Sequence, residues 1–239
     1  MKEKIIIFCD GASKGNPGPG GWGAIVAAGN SIHELGGFAA HTTNNQMELK
    51  AAVEALQKAR EVSNGEVTVY TDSSYVINGI TKWVKGWQHN GWLTQEKKPV
   101  LNKDLWEPLV KAVENFEEKI TWEYVGGHVG IEGNERVDSI ASDLALGKKV
   151  DLYTGPANGY LVDVKNIQFD KQMVKAKSDT KARSKLKAYS YVSVIAGVIV
   201  KHKTWAECEQ RVKGKAARFK KSLSEEDETA ITKEFLSKK

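Results

Sequence analysis

The sequence predicts an α/β protein: a mixed sheet of five strands, three antiparallel and then two parallel, with flanking helices, followed by a small C-terminal α/β module. Three observations predict it. Three strand-like runs separated by turn signals fill the region before residue 40, helical and strand-like patterns then alternate to about residue 147, and the composition changes after residue 150. Successive strands pair antiparallel, whereas strands separated by helices return parallel.

Ile5 to Phe8 is an apolar, β-branched run that continues through Cys9 and Asp10 into the glycine-rich stretch Gly11 to Gly21, as a buried strand does when it feeds a tight turn. Trp22 to Ala28 and Ile32 to Ala39 follow as strands around Gly29-Asn30, a two-residue hairpin signal. Asn44 is an N-cap candidate for a helix over Asn45 to Arg60, where Met47, Leu49, Val53 and Leu56 recur at helical spacing without Gly or Pro. Glu48 falls in its first turn. Gly65 ends the helix, and Val67 to Thr71 is a further β-branched strand running into Asp72-Ser73-Ser74. Val76 to Trp87 reads as short helical segments, Gln88 to Pro99 as an exposed excursion, and Asp104 to Phe116 as an amphipathic helix. Lys119 to Val125 alternates as a strand and stops at Gly126-Gly127-His128. Gly133 or Asn134 then opens a helix to about Leu146, with Asp138 in its early turns.

These patterns predict a first domain over residues 1–148, a basic linker over 149–187 and a small domain over 188–239. Gly155-Pro156 and Asn158-Gly159 mark turns in the linker, and Lys171 to Lys187 is polar and lysine-rich, a flexible segment or a solvated helix. Residues 1–150 carry 16 Lys and Arg against 19 Asp and Glu, residues 151–239 carry 19 against 11. A basic tail on a mildly acidic body suits a polyanionic partner, and a lysine-rich solubilising tail has the same look. The two cysteines, Cys9 and Cys208, imply neither a disulfide framework nor a cysteine zinc site. No signal peptide or membrane span fits the apolar runs, so a cytoplasmic monomer without membrane contact is expected.

Asp10, Glu48, Asp72 and Asp138 thus lie at strand ends or in the opening turns of helices, positions that converge at one edge of an open α/β sheet. Singly, each reads as a cap or a solvated side chain. Together, four carboxylates would repel one another without cations, which points to hard divalent metals such as magnesium. Two such ions about 3.5–4 Å apart activate water and stabilise a leaving oxygen in phosphodiester cleavage. His128, in a glycine-flanked loop, is placed to move a proton near neutral pH.

Residues 1–147 resemble a type 1 ribonuclease H. The motifs are Asp10-Gly-Ala-Ser with Gly15-Asn-Pro-Gly-Pro-Gly-Gly, Thr43-Asn-Asn-Gln-Met-Glu48, Thr71-Asp72-Ser, and Gly127-His128 followed by Gly133-Asn-Glu-Arg-Val-Asp138. The resemblance implies a ribonuclease H-like fold and an endonuclease that hydrolyses the RNA strand of RNA–DNA hybrids, leaving 5′-phosphate and 3′-hydroxyl ends. It implies Asp10, Glu48, Asp72 and Asp138 as ligands of two Mg2+ ions, with Mn2+ as a possible substitute, and His128 as a mobile helper of catalysis or product release. Asn16, Asn44, Asn45 and Gln46 would touch the nucleic acid, with Glu135 near the metal site. Amides both donate and accept, which suits a 2′-hydroxyl or a minor-groove base edge.

The stretch Lys82 to Lys98 resembles the family's basic handle, keeping Trp83, Trp87 and Trp92 but carrying only Lys82, Lys85, Lys97 and Lys98 as cations. Trp83 and Trp87 either touch the DNA strand or pack the handle onto the body. At the other end, Thr204-Trp205-Ala-Glu-Cys208, Val212 and Ala217-Arg-Phe-Lys220-Lys221 are similar to the small hybrid-binding domain of eukaryotic type 1 ribonucleases H and to the viroplasmin-type module. Trp205, Lys220 and Lys221 would then face the duplex, the lysines on phosphates. Ser222 stands where that family has an aromatic. The alternative reading is a non-catalytic hybrid-binding protein that keeps the same fold as a scaffold.

Overall fold

The computed structural model describes residues 3–126, 130–167 and 186–237, and the chain divides into two compact units at residue 170. In the first unit, β1 (Lys4–Ser13), β2 (Gly18–Ala28) and β3 (Ser31–Thr42) form the antiparallel meander. Helix α1 (Asn44–Val62) follows, then β4 (Glu66–Thr71), which pairs parallel to β1. After α2 (Ser74–Asn78), a π-helical turn over Gly79–Trp83 and α3 (Val84–His89), helix α4 (Lys103–Glu114) leads to β5 (Thr121–Tyr124), parallel to β4. Helix α5 (Glu132–Ala145) comes next.

The sheet has six strands where the sequence predicts five. Residues Thr154–Pro156 form β6, antiparallel on the free edge of β3, giving the order β5-β4-β1-β2-β3-β6. This corrects the predicted linker, because residues 151–164 are built into the first unit. Val164 is buried with Phe8, Ile25, Ile131 and Val137 on the α5 face of the sheet. On the opposite face Ile5, Ile7, Cys9, Val26, Leu49, Leu56, Trp106 and Leu109 pack beneath α1 and α4. β1 serves both layers because its side chains alternate between the two faces of the sheet.

Two helix starts differ from the sequence reading. Thr43, not Asn44, caps α1: its hydroxyl accepts from the Gln46 N–H while the Gln46 side chain accepts from the Thr43 N–H. This capping box, worth about 1 kcal/mol, moves Glu48 into the second turn. Helix α5 opens at Glu132, one residue earlier than Gly133.

The second unit is a three-stranded antiparallel sheet, β8-β7-β9, made of β7 (Ser190–Ile195), β8 (Val198–His202) and β9 (Ala217–Ser222). Helices α6 (Trp205–Val212) and α7 (Glu225–Ser237) accompany it. A Thr204–Glu207 capping box starts α6, and Ile231 and Phe235 of α7 pack on Val192 and Val194 of β7.

Candidate active site

The register of the central parallel pair places the first two acids. β1 and β4 pair as far as Phe8 opposite Tyr70, whereas β1 and β2 remain paired to Ser13 opposite Gly20. Asp10, two residues past Phe8, and Asp72, two past Tyr70, therefore stand where the parallel pairing has stopped, Asp10 on the same face of β1 as Phe8. Asp10 is only 6% exposed, and its carboxylate accepts the Gly11 N–H at 2.7 Å. Burial, then the charges of Asp72, Asp138 and Glu48, push its pKa up to about 8 against that hydrogen bond.

Glu48 approaches from α1. Its Oε1 accepts from Asn44 Nδ2 at 2.7 Å and its Oε2 from the Ser73 hydroxyl. Burial and Asp72 hold its pKa above the ordinary carboxyl value in spite of these two donors. Asn16 joins the group through its Oδ1, which accepts from the Asn44 N–H at 3.3 Å. Asn45 is exposed, and the Gln46 side-chain oxygen is engaged in capping α1. Glu135, exposed on α5, accepts the Gly130 N–H at 3.2 Å. Gly127 and His128 lie outside the described residues.

The four acids therefore share one electrostatic neighbourhood. Among the described residues, no three Asp, Glu, His or Cys side chains stand close enough to hold a metal ion as they are. The fit to a divalent cation lies in donor type and charge: hard oxygen donors, among them a carboxyl whose pKa is raised by burial and by the acids around it.

Ser73 escaped the sequence reading as a functional residue. It caps α2 by accepting the Val76 N–H and at the same time donates to Glu48; the Asp-Ser pair at the end of β4 was its visible signal. Glu34 escaped as well. It is 3% exposed on β3 and forms a two-point ion pair with Arg136 of α5, both N–O distances being 2.7 Å. Burial acts to raise its pKa, and hydrogen bonds from Arg136, Tyr160 and the Tyr153 N–H outweigh that and lower it.

In the handle, Trp83 meets Trp87 in a tilted contact at 5.7 Å and Trp87 meets the buried Trp106 edge-on at 5.5 Å, so both pack toward the body. Trp83 remains 39% exposed, on a groove of about 780 Å³ that also meets Tyr75 and Lys98. In the second unit, Trp205 lies between Tyr191 at 5.6 Å and Phe219 at 5.2 Å, leaving a partly exposed aromatic patch. The structure separates Lys220 from Lys221, which the sequence reading aimed at one duplex together. Consecutive residues of a strand point to opposite faces. Lys220 is turned to Glu234 of α7, at 2.6 and 2.9 Å from the two carboxylate oxygens, while Lys221 shares the Phe219 side of β9 and donates to the Leu186 carbonyl at 2.8 Å.

The family model "RNase H" matches residues 2–146. A ribonuclease H of Erythrobacter litoralis is 52% identical over 143 residues, 60% of this chain and 96% of that protein. One of Novosphingobium aromaticivorans is 53% identical over 144 residues, 60% of this chain and 98% of that protein. Among solved structures, LC9-RNase H1, described as a type 1 RNase H with the type 2 active-site motif, is 25% identical with a TM-score of 0.55, over 78% of this chain and 87% of that one.

Proposed function

Because the chain belongs to the RNase H family, we propose that it hydrolyses the RNA strand of RNA–DNA hybrids by two-metal-ion catalysis, leaving 5′-phosphate and 3′-hydroxyl ends. The observation that supports the reading is Asp10, buried where the charges of Asp72, Asp138 and Glu48 act on its carboxyl. These carboxylates would hold the two Mg2+ ions. When bound, the ions supply the charge that lets a phosphodiester approach the acids and lower the pKa of a water nucleophile.

The chain's own groups do the rest. The amides of Asn16, Asn44, Asn45 and Gln46 orient the hybrid and read its 2′-hydroxyls, and Asn44 at the same time braces Glu48. Ser73 holds the second Glu48 oxygen, so that carboxylate enters the site from a fixed direction. Glu135 would stand near the metal site, and the His128 imidazole would move a proton beside the cleaved bond or help the product leave. Incubation of a labelled RNA–DNA hybrid with the full chain in Mg2+, and again with chelator, tests the reading: cut RNA only in the first supports it, and intact RNA in both overturns it. His128→Ala should slow turnover by about 10²-fold without abolishing it, the low range for one acid–base group. Complete inactivity of the folded variant would assign His128 an indispensable role instead.

The second unit would hold the enzyme on the duplex by raising effective concentration, with Trp205 on sugar or base and Lys221 on phosphate. Lys221→Ala, on the Phe219 and Trp205 side of β9, should flatten the plot of log affinity against log salt by about 0.9, whereas Lys220→Ala, on the α7 side, should change the slope far less. Equal changes for the two variants would sink the assignment of Lys221 as the duplex-facing lysine.

A further inference from the structure

Helix α5 must deliver Asp138 to the acid cluster, and part of its seat on the sheet is glycine. A Cβ on Gly21 would lie 2.4 Å from the Ala141 carbonyl oxygen, and one on Gly23 2.6 Å from that of Val137. A glycine floor lets the helix approach closely, and Phe8 and Ile25 pack beside it against Ile131 and Val137. A second, directional hold on the helix is polar. Glu34 Oε1 accepts from Arg136 Nε at 2.7 Å and from the Tyr160 hydroxyl at 2.6 Å; Oε2 accepts from Arg136 Nη2 at 2.7 Å and from the Tyr153 N–H at 2.9 Å. Arg136 Nη2 also donates to the Asp151 carbonyl at 3.2 Å. Each carboxylate oxygen thus has two donors, drawn from α5 and from the segment that carries β6.

We infer that Glu34, acting through Arg136, is a positioning residue for Asp138, and that residues 151–160 close the clamp. Arg136 precedes Asp138 by two residues, about 200° around the helix and about 3 Å along it. Pinning the Arg136 side therefore sets the direction in which Asp138 projects on the other. A net gain in stability does not explain the pair, since apolar side chains of similar size commonly stabilise a buried site as well as an ion pair does. What the two-point geometry adds is a fixed orientation. The inference rests on the reading of Asp138 as a cation ligand.

Glu34→Gln in the full chain tests it, because Gln keeps the size but sets an amide NH2 against donors. The kcat on a labelled hybrid at saturating Mg2+ should fall about tenfold, the scale for a residue that orients a metal ligand. KM for the hybrid should stay at the wild-type value, and the rise in Tm on adding Mg2+ should shrink. Tyr160→Phe removes one donor while keeping the ring in its tilted contact 4.9 Å from Tyr153, and should move the same readouts the same way by less. It decides the matter if Glu34→Gln does not fold. A folded variant with wild-type kcat and the wild-type Mg2+-induced rise in Tm, whatever its absolute Tm, makes the clamp purely structural. Wild-type protein that neither cleaves nor responds to Mg2+ overturns the underlying reading instead.

Discussion

Replacing Asp10 by Asn should lower Mg2+-dependent cleavage of an RNA–DNA hybrid by about 10³-fold or more, equivalent to about 4 kcal/mol of transition-state stabilisation, while leaving hybrid binding nearly intact. Asn keeps the shape and can still accept the Gly11 N–H, so the change removes the ionisable group and little else. Stability separates this from simple damage. In chelator, the wild-type chain should become less stable as pH rises from about 4 to about 8: the unfolded chain releases this proton near the ordinary value of 3.8, whereas the folded chain holds it to about 8. The Asn variant should lack that slope and, near pH 7 in chelator, should melt no lower than wild type. Turnover within a few-fold of wild type would remove Asp10 from the metal site, and a variant that no longer binds the hybrid would mean that Asp10 organises the binding surface.

A chain ending at residue 150 should melt about 10 °C or more below one ending at residue 167, although both lack the second unit. The shorter chain loses β6, the Tyr153 and Tyr160 contacts to Glu34, and Val164 from the Phe8 cluster. Burial of one Val and parts of two Tyr is worth about 4 kcal/mol, and each kcal/mol moves the Tm of a domain of this size by about 2–4 °C. The longer chain should keep the full-length kcat with weaker binding to the hybrid. Equal melting temperatures would show that residues 151–164 add nothing to the first unit, and would leave the Glu34 clamp without its outer half.

The sequence by itself determined the elements and named the candidate acids. Ile5 to Phe8, the Gly29-Asn30 hairpin and the apolar spacing of α1 are local signals, set by chain geometry and by what each segment must bury. Asp10, Glu48, Asp72 and Asp138 are offered as candidate acids by the sequence because their motifs are contiguous.

Whatever depends on partners distant in sequence was decided by the tertiary structure. The placing of Asp10 and Asp72 just past the parallel pairing comes from the Phe8–Tyr70 register, which neither strand encodes alone. Thr154–Pro156 is too short to show a strand period and becomes β6 only because β3 offers it an unpaired edge. Glu34 reads as an ordinary polar residue in an alternating strand until Arg136, 102 residues away, makes its burial possible. Lys220 and Lys221 look like one basic site as neighbours in sequence; the pleat of β9 turns them to opposite faces, and only the folded chain shows that Glu234 waits on one of them.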